Sequence, residues 1–329
     1  MSSHGGEPAA SGVDGPPPEA VASAPVEDRL GWLDATRNTI YELLWRGAMR
    51  GDSWFGTGDA ESEYRKVVGS IAPAILWDDH YGMSFPLRFN VLLPLPQFDE
   101  RLHAFLGRVD PNEYVSESEE PSGAFRRQYG PVTQDQTILG LAFNPAVRGG
   151  GGFDAGAGMR VALPLDPYVK GSYSLVRGSS VDGRLLVRET AFWERDQGVG
   201  VTTRADLERI YQLRWMARWT GSATLSQRSQ GVLGWSAVDV MRGYPGRRAV
   251  ALELEVDGQT QAAVPLHSYG CKLAYRQSVL RKWLILEVRS SLAWPKDLPQ
   301  QERRISPGVG LGFEMLLGTE VFLARPVTF

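Results

Sequence analysis

From Met83 to Leu95 every second residue is apolar: Met83, Phe85, Leu87, Phe89, Val91, Leu93 and Leu95, with Arg88 and Asn90 between them. A strand of that period is apolar on one face and free to carry charge on the other. The pattern recurs along the chain. Phe153, Ala155, Ala157, Met159, Val161 and Leu163 alternate with Asp154, Gly156, Gly158 and Arg160. Tyr211, Leu213, Trp215, Ala217 and Trp219 alternate with Gln212, Arg214, Met216 and Arg218. A water-soluble sandwich has no use for so many long apolar faces in succession. A barrel surrounded by lipid, with a wet interior, needs them. The pattern therefore predicts an all-β fold, a transmembrane antiparallel β-barrel of about fourteen strands preceded by one amphipathic helix.

The predicted strands cover 63–77, 81–95, 100–109, 136–145, 153–165, 168–178, 184–195, 198–208, 210–224, 229–241, 247–257, 264–277, 281–294 and 307–318. Twelve or sixteen strands also fit, because 100–109 and 198–208 alternate weakly. Residues 62–318 form the barrel on this reading, with Trp77, Trp193, Trp215, Trp219 and Trp294 toward the lipid. Residues 319–329 either fold back or extend the closing strand. Residues 1–26 are rich in Pro, Gly, Ala, Ser and Glu, and read as a disordered linker. Residues 27–50 read as a helix, with Glu27 and Asp28 at the positive end of its dipole and Arg46 and Arg50 at the negative end. Leu30, Leu33, Ile40 and Leu44 line one face, and 51–61 form a hinge. The stripe is too short to span a bilayer, so the helix should dock. The expectation is that it restricts the periplasmic mouth. The competing one is that it awaits a protein partner.

Composition changes the picture little. A net charge of -3 on 329 residues points to no nucleic-acid partner. A mean hydropathy of -0.23 fits a barrel, whose polar inner residues dilute every strand. Ten Trp and eleven Tyr suit aromatic girdles at the two interfaces. The single cysteine, Cys271, rules out an internal disulfide and shares the lipid side with Tyr269 and Leu273. No metal-ligand spacing and no cofactor motif is present, so no cofactor is expected. The first twenty residues have neither a basic start nor an apolar stretch, so the expectation is a mature chain whose signal has been removed.

Three segments resemble an uncharacterised family of proteobacterial outer-membrane β-barrel proteins. They are DSWFGTGDAESEYRKV (52–67), ETAFWERDQGVGVTTRADLER (189–209) and YRQSVLRKWLILEVRSSLAWP (275–295). The resemblance implies a single barrel in the bacterial outer membrane and attaches no activity to it.

Alternation places Arg88, Arg160, Lys170, Arg188, Arg214 and Arg218 inside the barrel, and also Glu253, Glu255, Lys272, Arg276, Glu287, Arg289 and Glu314. The first group is basic and the acids gather near the C-terminus, so the two could face each other across a pore. One reading is a porin-like channel for small polar or anionic solutes. Its pore candidates are Arg88, Arg160, Arg188, Arg214, Arg218, Glu253, Glu255, Glu287 and Glu314. The other is a closed structural barrel whose charges pair and fill the interior, docking a periplasmic or outer-membrane protein through the helix or the acidic loop 110–135. A hydrolase at the rim is the third. Asp78, Asp79 and His80 hint at it, but no second Asp–His pair stands on a later outward hairpin tip, and adjacent His267 and Ser268 point to opposite faces. The chain is therefore read as a non-enzyme.

Overall fold

The computed structural model describes residues 31–52, 67–95, 101–117, 135–143, 151–161, 164–179, 181–211 and 214–318. The linker 1–26, the hinge beyond Asp52, most of the acidic loop, Gln212, Leu213 and the segment 319–329 lie outside them, while Gly51 and Asp52 continue the helix.

One helix, α1 (Gly31–Asp52), precedes the strands β1 (Val68–Asp78), β2 (Gly82–Ser84), β3 (Leu87–Pro94) and β4 (Leu102–Val109). A short helix, α2 (Pro111–Ser116), follows. Then come β5 (Gln136–Phe143), β6 (Gly151–Arg160), β7 (Asp166–Ser179), β8 (Gly183–Glu194), β9 (Gly198–Tyr211) and β10 (Trp215–Ser226). The last are β11 (Leu233–Tyr244), β12 (Arg248–Gln259), β13 (Leu266–Ser278), β14 (Leu284–Ala293) and β15 (Ser306–Leu317).

From β4 to β14 each strand pairs with its sequence neighbours, and β15 closes antiparallel onto β1, from Gly69 opposite Leu317 to Asp78 opposite Gly308. Both β2 and β3 pair with β1 in one continuous register, Trp77 with Met83 and Ile71 with Phe89. They are one wall position interrupted at Phe85–Pro86. Pro86 has no N–H to give the ladder, while its carbonyl still accepts from Ala74 N at 2.9 Å. The wall is thus a closed antiparallel barrel of fourteen strands with no free edge.

The outward face carries exposed Trp77, Leu141, Phe153, Trp193, Trp219, Leu254 and Leu311. The inward face carries buried Arg160, Thr190, Thr202, Asp239, Lys272 and Glu287. A barrel apolar outside and polar inside is inverted relative to a soluble protein, as lipid requires. Strands β7 and β9, at fourteen residues each, are long enough to cross even with tilt.

Two expectations are corrected. Arg214 is not a lumen residue: it lies exposed in the turn between β9 and β10. β9 ends at Tyr211 and β10 begins at Trp215, an even spacing, so the two keep the same parity. In register they face each other, Trp215 opposite Tyr211. The second correction concerns α1. Ile40, Tyr41 and Leu44 pack against Val67, Val91 and Leu317. Those three residues share the outward parity of Ile75, Leu87 and Phe313. The helix therefore lies on the outer wall at the closing seam, at the end that carries both ends of the barrel, rather than across the mouth. Arg37 donates to the carbonyls of Leu316 (3.1 Å) and Gly318 (3.0 Å), past which the ladder ends. Asp34 accepts from Arg281 Nε (2.7 Å) and Trp283 Nε1 (3.1 Å) on the β13–β14 turn.

Candidate pore constriction and outer rim

The segment after β4 turns into the barrel. Asp110 caps α2, its carboxylate accepting from Asn112 N at 2.9 Å and Glu113 N at 3.4 Å, with Pro111 in the first turn. The helix stops at Glu117, which adopts φ 54°. Val115 is fully buried beside Phe105, Ile138, Tyr168 and Phe192. Tyr114 stacks on Phe105 with centroids 4.3 Å apart and meets Tyr168 edge-on at 5.9 Å. Inward-pointing cations hold the helix from β6, β7 and β8. Lys170 Nζ reaches Tyr114 O (2.8 Å) and Glu117 (2.8 Å), and lies 4.0 Å from the Tyr114 ring centroid. Arg188 Nη1 reaches Glu117 at 2.8 Å, and Arg160 Nη2 donates to Asn112 Oδ1 at 3.2 Å. The first eight residues of the acidic loop, 110–117, are thus folded against the inner wall.

The predicted lumen charges are placed as follows. Arg88 pairs with Asp135 at 2.8 Å. Arg160 contacts Glu194, Asp166 (3.1 Å) and Asp196 (2.9 Å). Arg188 also reaches Asp154 at 3.1 Å. Arg218 pairs with Asp239 at 3.0 Å, and Lys272 with Glu253 and Glu255. Arg276 bridges Glu287 and Glu314, and Arg289 also pairs with Glu287. The pairing runs between strands of the same wall. The basic half that alternation suggested holds its own acids, because Asp154, Asp166, Glu194, Asp206 and Glu208 also point inward. Two facing walls of opposite sign are therefore replaced by local pairs of both signs.

At the end opposite α1 the rim is tied by imidazole–carboxylate contacts that adjacency in sequence did not reveal. His80 Nε2 lies 2.6 Å from Asp297 Oδ2. His267 reaches Asp257 through Nδ1 and Asp297 through Nε2, both at 3.1 Å, and Tyr81 OH donates to Asp297 at 3.2 Å. The usable clue was the hairpin: Asp257 and His267 flank one tight reversal and so meet across it. Burial works against ionisation of Asp297, but the bond to His80 and its neighbours outweighs that and holds the carboxyl below its usual range. Both rings hydrogen-bond to carboxylates across the rim. Among the described residues no group of three or more His, Cys, Asp or Glu is placed to hold a metal ion.

Fold and inner wall together define a porin-like barrel. In structure it is similar to OprB of Pseudomonas putida, with a TM-score of 0.50 at 8% identity over 78% of this chain and 95% of that one. Looser likenesses are the anion-selective porin from Comamonas acidovorans (TM-score 0.42, 10% identity, 76% and 98% covered) and the KdgM porin (TM-score 0.35, 6% identity, 75% and 98% covered). No family model and no curated protein matches the chain.

Proposed function

We propose that the protein is a bacterial outer-membrane channel that passes small polar solutes, and that α2, not α1, is its constriction. The observation that carries this reading is α2 itself, seated inside the barrel and held there by Arg160, Lys170 and Arg188. The apolar outer face supports the location, since such a wall is stable only in lipid. The preference for anions expected from a list of arginines loses its support. Each inward arginine or lysine named above has a carboxylate within ion-pair distance, so little unbalanced positive field is left. The seat of α1 on the outer wall favours a role as a brace of the seam.

A closed structural barrel is the second reading. It is favoured by the low exposure of Arg276, Glu287, Arg289 and Glu314, between 3% and 5%. Planar-bilayer conductance separates the two. The whole chain should give small, discrete steps. Replacing residues 110–117 with a Gly-Ser linker should enlarge them several-fold. No current from either protein would overturn the channel reading and support the closed barrel.

A further inference from the structure

Between α2 and the inner faces of β10 to β13 lies a cavity of about 300 Å³, open toward the rim. Such a volume sits at the small end of the range for small-molecule sites. One wall is Trp235, which points inward from β11 with Ser222 and Asp257 directly across from it on the neighbouring strands. An indole on an inner wall of small and polar side chains, with Ala237 and Asp239 following, presents a flat apolar platform to the water path. Around it stand Gln197, Gln259 and Asn112, whose amides both donate and accept. No lysine or arginine lines the cavity. Three carboxylates line it: Glu113 stands on α2, while Asp257 is engaged by the His267 ring and Asp110 by the α2 backbone. The latter two can still accept on other lone pairs, while much of their charge is answered.

We propose that this cavity is an outer binding subsite for a neutral sugar ring. A pyranose has apolar C–H faces that lie flat on an indole, and a girdle of hydroxyls that pair with amides and carboxylates. An anion would meet carboxylates and no lysine or arginine. The assignment deepens the passage proposed above by naming its solute class, and rests on that reading for the route inward.

The test is titration calorimetry of the full chain with maltose, in a detergent without a sugar headgroup, beside maltose block of the bilayer current. Maltose should bind, Trp235→Phe should retain binding, and Trp235→Ala should weaken it at least tenfold. Gln259→Ala gives a second, milder loss if Trp235→Ala fails to fold. Gluconate should bind at least tenfold more weakly than maltose. Absence of maltose binding, binding indifferent to both Ala variants, or tighter binding of putrescine than of maltose would each overturn the assignment. Current without maltose binding overturns this inference and leaves passage standing. Maltose binding without any current overturns passage and supports the subsite.

Discussion

Glu287 stands between two guanidinium groups, with Arg276 Nε at 3.3 Å and Arg289 Nε at 2.9 Å, and is 3% exposed. Its charge is needed because two cations beside it are shielded from water. Glu287→Gln keeps the shape and removes the charge, so it should destabilise the barrel by roughly 3–5 kcal/mol. Glu208→Gln removes the partner of half-exposed Arg184 and should change stability by about 1 kcal/mol or less. Urea unfolding followed by gel mobility measures both, and equal losses would count against the buried network. Asp297 gives a pH-dependent counterpart. Its folded pKa is depressed, so its contribution is complete above the unfolded value of about 3.9 and is lost as pH falls through the folded one. Asp297→Asn should therefore melt below wild type at neutral pH, with the gap closing only under about pH 4. A gap that is instead largest in acid and closes as pH rises past the usual imidazole value of about 6.5 would assign the effect to His267, whose folded pKa is raised by its bond to Asp257.

At the scale of the element, the same strand obeys two solvents. Leu254 sits midway along β12, half exposed on the outer face, while Glu253 and Glu255 point in toward Lys272. Leu254→Arg should cost roughly 2–4 kcal/mol near the bilayer midplane. Leu254→Ala should cost much less, because acyl chains fill the vacated space. Refolding titrations into vesicles of fixed thickness read both. The helix α1 follows the same logic. Its apolar contacts with Val67, Val91 and Leu317 replace lipid rather than water, so the hydrophobic gain is small. What its removal forfeits is the pair of bonds from Arg37 to the last strand carbonyls and the pair that Asp34 accepts from Arg281 and Trp283. Deleting residues 1–52 should leave a folded barrel with unchanged conductance and a melting temperature only a few degrees lower. A large rise in conductance would return the helix to the mouth.

For the whole molecule, period two carried nearly everything about the wall. Outward Phe153, Trp193 and Val309 and inward Gly308, Gly310 and Glu314 follow from alternation alone, since one face must meet lipid along the whole strand. What alternation could not yield depends on register or on free chain direction. Parity is kept from Tyr211 to Trp215, so alternation puts the break near residue 209 and leaves Arg214 inside a strand. The partner of each inward charge depends on which strand position lies opposite, as Arg218 opposite Asp239 shows. Nothing in residues 110–117 states that the loop bends inward; that is decided by Lys170 and Arg188, which come from distant strands. Closure is the least local property, joining β1 to β15 across almost the full barrel sequence. Such contacts form late, because the whole wall must be assembled before its ends meet. Until they do, both seam strands present unpaired N–H and C=O groups to hydrocarbon, at a cost of several kcal/mol each. A chain ending at Arg303, lacking β15, should therefore fail to reach the compact, heat-sensitive gel form in vesicles, rather than close with thirteen strands. Adding a peptide of residues 304–318 should restore part of it, because the register with β14 and β1 is set by side chains already present. A thirteen-stranded product that resists protease without the peptide would show that β1 and β14 pair directly and that the seam does not specify the strand number.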